Sequence, residues 1–362
     1  MNKLKKKFFN KKIIITGHTG FKGSWLAFWL NLLGAKVVGV SDQIQTKPSF
    51  FQACKLQKNI KHNILDIRDY KKLKKKIESV KPDFIFHLAA QALVKRSYEE
   101  PLFTWQSNTL GTINLLEVLR KYKKKCTTVI ITSDKAYKNL EIKRGYNEDD
   151  ILAGVDPYSA SKSCADIAVQ SYVNSFFQKK TKVRIAIARA GNVIGGGDWS
   201  DDRFIVDCIK SWMVKKPAII RSPHATRPWQ HVLEALSGYM NLATKLDSQK
   251  KYNGQVFNFG PDNKSNFRVI DILNKIKSYW KDVNWIIKKD KNLKETFLLK
   301  LNSNKAKQKL NWKNVLSINQ NLKMIIDWYK TYYLNSKKNN DKIIKLTINQ
   351  IKTYEKKINK KI

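Results

Sequence analysis

The chain has 362 residues, enough for one large or two intimately joined domains with a substantial core. No stretch approaches the roughly 18 uninterrupted apolar residues of a membrane span, and Cys54, Cys126, Cys164 and Cys208 are scattered with no CxxC pair, so a disulfide frame and a metal site are excluded. The net charge of +41 comes from lysines dispersed along the chain among asparagine and isoleucine, as AT-rich codons produce; without zinc-finger spacing, an RNP-like motif or an arginine-rich arm it excludes nucleic acid as the main partner and favours an anionic substrate.

The lysine-rich start, Met1 to Phe9, has no apolar h-region and no cleavage site, so a cytoplasmic protein is expected. Ile13-Ile14-Ile15 then runs into Thr16-Gly17-His18-Thr19-Gly20-Phe21-Lys22-Gly23, which predicts a strand, a glycine turn and a helix over Gly23 to Leu33. In such a unit Gly17 permits the tight turn, Gly20 lets the backbone approach a pyrophosphate and Gly23 allows close helix packing. The anion sits at the helix N-terminus, here Phe21 and Lys22, where N–H groups are unpaired. Asp42 ends the next strand, Val37-Val38-Gly39-Val40, at the position where an acid bonds the adenosine ribose. Its charge repels a 2′-phosphate, so NAD is expected over NADP. Asp66 and Ile67 follow a third strand and are expected near the adenine. The strand Phe84-Ile85-Phe86 ends in His87-Leu88-Ala89-Ala90-Gln91, where Ala89, Ala90 and Gln91 are expected to border the cofactor and His87 to be a core histidine.

A helix is expected from Asn108 to Lys121 and a strand at Val129-Ile130-Ile131, leading into Thr132-Ser133-Asp134-Lys135-Ala136-Tyr137. Asp156-Pro157 form an N-cap and N1 pair for a helix on which Tyr158 and Lys162, four residues apart, share a face. The lysine charge, with a nicotinamide cation, is expected to lower the tyrosine pKa so that phenolate takes a hydroxyl proton. Tyr-x-x-x-Lys recurs at Tyr70/Lys74 and Tyr333/Lys337, read as surface helix residues; only the copy at 158 follows a strand ending in a hydroxyl and an acid.

A further strand is expected at Val183-Arg184-Ile185-Ala186-Ile187. Beyond Gly191 come loops, with Gly195-Gly196-Gly197 read as a flexible substrate loop and Trp199 and Trp229 open between ligand contact and core. Helices are expected over Lys323 to Tyr333 and from Asp341, where Ile344, Leu346, Ile348, Ile351 and Tyr354 make an amphipathic face that docks on the body and not on a membrane. The alternation predicts an α/β fold. A Rossmann-type doubly wound parallel sheet over 1–190 carries the cofactor and catalytic residues, and a smaller mixed α/β C-terminal substrate domain covers 191–362, with elements free to interleave.

These motifs resemble the nucleotide-sugar 4,6-dehydratases of the extended short-chain dehydrogenase/reductase superfamily, in particular those acting on CDP-glucose. The likeness is carried by Thr16 to Trp25, His87 to Tyr98, Thr132 to Lys135, Asp156 to Lys162, Arg189 to Trp199 and His224 to Leu233. Dehydratases of dTDP-glucose and GDP-mannose carry Asp-Glu where this chain has Asp134-Lys135. The resemblance implies that Tyr158, with Lys162, deprotonates the C4 hydroxyl while hydride leaves for NAD, and that Ser133 bonds the C4 oxygen. Asp134 then protonates the departing C6 hydroxyl. Lys135 either removes the C5 proton or orients Asp134 or a water. Asn108 matches a structural asparagine beside the cofactor, with N-capping as its alternative, and Asn192, Arg203, Arg227 and His231 match substrate-side positions. A nucleotide-sugar substrate and a homodimer are implied, with no membrane and no metal. The rival within the fold is another NAD-dependent dehydratase or a 4-epimerase. From another class, a basic binding protein with an idle Rossmann fold is disfavoured by the complete Ser133/Asp134/Lys135/Tyr158/Lys162 set.

Overall fold

A computed structural model describes residues 3–142, 144–178, 181–261, 266–288, 299–334 and 340–360. Its centre is a sheet of β1 (Lys12–Thr16), β2 (Lys36–Ser41), β3 (Lys61–Ile64), β4 (Phe84–His87), β5 (Cys126–Ile131), β6 (Val183–Ala190) and β7 (Val256–Phe259). The strand order is β7-β6-β5-β4-β1-β2-β3, and every pairing is parallel. Side chains alternate between faces: Ile13 and Ile15 enter one core and Ile14 the other, as do Phe84 and Phe86 against Ile85. Both faces are therefore apolar, which requires helices on both sides.

One face carries α2 (Tyr70–Val80), α3 (Gly111–Lys121) and α4 (Pro157–Tyr172). The expected helix over Asn108 to Lys121 begins as a π turn, Gln106–Leu110, before α3. The other face carries α1 (Phe21–Leu32) and α6 (Val232–Ser248), with α5 (Phe204–Met213) in the segment between β6 and α6. Helix α1 is apolar almost all round because it is covered twice, by the sheet and by the C-terminal helices α7 (Ile318–Leu334) and α8 (Asn340–Lys360). Trp29 Nε1 donates to Glu355 on α8 at 2.8 Å, and the Tyr354 hydroxyl donates to buried Glu234 on α6 at 2.7 Å. The tail thus docks on the body, and among the described residues no helix is long and apolar enough to cross a membrane.

The later half of the chain returns to the sheet through α6 and β7, so the two halves interleave. The strand order reverses between β1 and β4, and the carboxyl ends there open a crevice suited to a ligand. Tyr70 and Lys74 lie on α2 outside that crevice, and Lys337 lies outside the described residues.

Candidate active site

The crevice is a cleft of about 620 Å³. Its first wall is the turn from β1 into α1. Gly17 has φ +75°, and a Cβ there would fall 2.7 Å from Ala89 N; one on Gly23 would fall 2.0 Å from the Gly17 carbonyl oxygen. A Cβ on Gly20 meets only that oxygen, at 3.4 Å, so bare backbone lines the cleft at this point. No side chain caps α1, which leaves its first N–H groups for an anion. His18 fixes the turn from below, bonded at Nδ1 to the Ser41 hydroxyl at 2.9 Å and at Nε2 to His62 at 2.7 Å; burial pulls its pKa down to about 4. Phe21, Lys22, Asp42, Asp66, Ile67, Ala89, Ala90 and Gln91 also line the cleft. Asp42 accepts from Gln43 N at 2.8 Å, and Asp66 is held by the Arg68 fork at 2.8 and 2.5 Å. An open glycine backbone, an uncapped helix start and carboxylates at the ends of β2 and β3 fit an adenine dinucleotide.

The other end of the cleft gathers Ser133, Asp134, Lys135, Tyr158, Lys162, Asn192 and Arg203. Strand β5 delivers the first three in a tight turn, where the Ser133 hydroxyl accepts from Lys135 N at 3.2 Å and donates to Asp134 Oδ1 at 2.9 Å. Asp156 caps α4, its carboxylate accepting from Ser159 N at 2.9 Å, and Pro157 takes the first helical position. Tyr158 and Lys162 are buried on that helix. Burial raises the Asp134 pKa, an effect reduced by the Lys135 charge and the Ser133 hydrogen bond. Burial and the Lys22 charge lower Lys162 to about 7, with Asp166 opposing. Lys22 falls to about 8 through burial and Arg203, with Asp134 and Asp198 opposing. A carboxyl whose pKa is raised by burial, in one cleft with an amine poised near neutrality, suits acid–base chemistry.

Several expected site residues stand otherwise than their motifs suggest. Burial raises the Tyr158 pKa, and the Ser133 hydrogen bond and the Arg203 charge oppose this. Lys162 on the same helix is itself desolvated and faces Lys22. Asn108 does not line the cleft; its amide accepts from Gln91 N at 2.8 Å and donates to Ser161 at 2.9 Å, bracing the wall from behind. His231 is fully buried, accepts from Leu233 N at 3.2 Å as the cap of α6, and packs on Trp25, so it is a core residue with its pKa pulled down to about 3 by burial. Arg227 lies on the short strand Thr226–Pro228, outside the lining of this cleft.

The triple-glycine loop is clamped and not flexible. Trp25 Nε1 donates to the Gly196 carbonyl at 2.9 Å, and a Cβ on Gly196 would fall 2.2 Å from the Trp328 ring. Trp199 and Trp229 are buried in aromatic packing, against Tyr332 and Phe204 respectively. His87 is satisfied in the core, bonded to Thr16 at 2.8 Å and Thr112 at 3.1 Å. Sequence reasoning passed over Asp198, a buried carboxylate of the cleft that acts on Lys22. It also passed over the buried Asp166–Arg189 pair, although Arg189, in the inner half of a strand that carries one other arginine, was visible in Val183 to Ala190.

The family described as GDP-mannose 4,6 dehydratase matches residues 14–325. A CDP-glucose 4,6-dehydratase of Salmonella typhimurium is 41% identical over 327 residues, covering 89% of this chain and 91% of that one. Among solved structures, the epimerase Mth375 of Methanothermobacter thermautotrophicus superposes with a TM-score of 0.80 at 21% identity, over 92% of this chain and 96% of that one. The dTDP-glucose 4,6-dehydratase of Bacillus anthracis, solved with NAD, gives 0.72 at 21% identity, over 89% and 97%.

Proposed function

The chain belongs to the GDP-mannose 4,6-dehydratase family, and from that premise we propose that it converts CDP-glucose to CDP-4-dehydro-6-deoxyglucose and water. The observation that carries this reading is the meeting, in one cleft, of a buried carboxyl with a raised pKa, Asp134, and the Tyr158/Lys162 helix. A dehydrogenase needs only the second of these. The CDP-glucose preference rests on the relative that is 41% identical over most of both chains.

NAD is the cofactor; when bound it takes the hydride from C4 and gives it back at C6. Gly17, Gly20 and Gly23 would leave room for its pyrophosphate, Phe21 and Lys22 would offer backbone N–H groups, and Asp42 and Asp66 would face the adenosine. At the other end Tyr158 removes the C4 hydroxyl proton, and Ser133 holds that oxygen. The C4 ketone acidifies C5–H, and Lys135, in the same turn as Asp134, takes that proton. The pair of electrons left at C5 closes the C5–C6 double bond as the C6–O bond breaks, and Asp134 gives its proton to the departing hydroxyl, which leaves as water. Once C6 is reduced, Lys135 would return its proton to C5, which completes the 6-deoxy sugar with no net redox change. Asn192 and Arg203 border the same end and would contact the nucleotide sugar; a guanidinium suits a diphosphate through its two-pronged donor geometry. Arg227 is proposed to reach the substrate from the C-terminal part.

Residues 1–190 would serve mainly the cofactor and 191–362 mainly the nucleotide sugar. A homodimer is proposed through α4 and the segment before α3, which leave Tyr98, Leu102, Leu110 and Ile167 exposed. Cytoplasmic location fits a nucleotide-sugar substrate. Incubation with CDP-glucose, dTDP-glucose, UDP-glucose and GDP-mannose, followed by mass spectrometry, tests the reading. Loss of one water from CDP-glucose alone supports it; unchanged mass in all, with NAD bound, removes it.

A further inference from the structure

Below the catalytic turn lies a charged pair with no share in the chemistry described above. Arg189 on β6 and Asp166 on α4 are 1% and 0% exposed. The guanidinium grips the carboxylate through two bonds, Nε to Oδ2 at 2.8 Å and Nη2 to Oδ1 at 2.9 Å. Its remaining nitrogen, Nη1, donates to the Tyr137 hydroxyl at 2.6 Å and to the Glu148 carbonyl at 3.1 Å. The carboxylate also accepts from Thr132 Oγ1 at 3.0 Å and from Gln170 Nε2 at 2.7 Å. The pair is therefore tied to the catalytic apparatus on three sides. Thr132 directly precedes Ser133, Tyr137 closes the turn that holds Asp134, and Asp166 stands one helical turn beyond Lys162. A buried ion pair is a weak stabiliser, because removing two charges from water offsets their attraction, and apolar residues of equal volume often serve stability as well. Such a pair at this position calls for another role.

We propose that the Asp166–Arg189 pair is a positioning device for Lys162: it sets the phase of α4 against the ends of β5 and β6, and it holds a negative charge one turn behind the amine. This rests on the reading of Tyr158 and Lys162 as the oxidising pair. Lys162 faces Lys22 from α1 and His87 from β4, with Tyr158 one turn before it and Asp166 one turn after. Among these Asp166 is the group that favours the charged amine, opposing burial and Lys22, which together bring it to about 7. Without that carboxylate the amine would lose its proton at a lower pH, and Tyr158 would have a neutral amine one helical turn away.

The test uses the full-length holoprotein and two variants: Asp166→Asn, which removes the charge with little change of shape, and Asp166→Leu/Arg189→Met, which replaces the whole pair by apolar side chains and keeps the protein folded if the single variant does not fold. Competitive acetylation of lysine amines across neutral pH, read by mass spectrometry on the peptide containing Lys162, titrates that amine without reference to turnover. The midpoint is expected to fall by about one pH unit in each folded variant. C4 oxidation of the nucleotide sugar at neutral pH is expected to slow about tenfold or more with KM little changed, whereas a merely structural pair would lower the melting temperature alone. A Lys162 midpoint that stays at its wild-type value in a folded variant overturns the proposal. Wild-type protein that binds NAD but converts no nucleotide sugar would defeat the functional reading instead, and the labelling result would still decide the effect of the pair on Lys162.

Discussion

Asp134 and Lys135 are consecutive in the chain, yet among the described residues they form no ion pair; Asp134 Oδ1 instead takes the Ser133 hydroxyl at 2.9 Å. The lysine charge still reaches the carboxyl and moderates the rise that burial imposes. An ion pair would have fixed Asp134 as a carboxylate and Lys135 as an ammonium, the wrong states for an acid that protonates a leaving hydroxyl and a base that takes a proton from carbon. Keeping the two apart leaves Asp134 free to hold the proton it gives to the leaving hydroxyl.

For Asp134→Asn, C4 oxidation should persist while water loss slows about 100-fold or more. Rapid-quench mass spectrometry with CDP-glucose separates the two steps. The pH dependence follows from the same carboxyl: an acid with a raised pKa keeps its proton above the ordinary carboxylate range, so water loss should decline on the alkaline side as Asp134 ionises. That decline should vanish in the asparagine variant.

Tyr158→Phe should abolish C4 oxidation while NAD stays bound, as followed by absorbance of the reduced nicotinamide after substrate addition. Because the Arg203 charge is one of the groups that hold the Tyr158 pKa down, Arg203→Met should raise it. The acid limb of C4 oxidation should then move to higher pH by about one unit.

The glycines of the first turn should separate folding from binding. Gly23→Ala places a methyl 2.0 Å from the Gly17 carbonyl and should cost about 2 kcal/mol or more in chemical unfolding. Gly20→Ala meets only an oxygen at 3.4 Å and should fold near normally. Its methyl would lie where the backbone lines the cleft, so NAD affinity measured by calorimetry should fall about tenfold or more.

His231 tests the boundary of the site. As the buried cap of α6 it should lose about 1–3 kcal/mol on change to Ala, part of it recovered by Asn, which keeps a capping acceptor. KM for the nucleotide sugar should stay within about twofold in both variants; a large rise would return His231 to the substrate.

The sheet and the cofactor turn were legible in the sequence because local rules govern them. Three β-branched residues at 13–15, glycines at 17, 20 and 23, and the Asp156-Pro157 start of α4 each have one economical backbone solution. The placement of Tyr158 beside Ser133 and Asp134 could be expected from a strand and a helix that follow one another. What could not be read depended on side chains meeting across long separations. His231 sits in a motif rich in polar residues, and only the packing of Trp25 against it shows that it is core. The Gly195 to Gly197 loop reads as mobile until Trp328, more than a hundred residues on, is found against it. The spacing of Tyr158 to Lys162 was visible, while the burial that raises the Tyr158 pKa and the position of Lys22 were not.

The central claim is that one site removes a hydride from C4 and returns it to C6 of the same sugar. CDP-glucose carrying deuterium at C4 tests this directly, with the product examined by mass spectrometry and proton NMR. The account predicts loss of one water and a deuterium retained on the C6 methyl group. Deuterium lost to solvent, or found again at C4 of a sugar of unchanged mass, would contradict it.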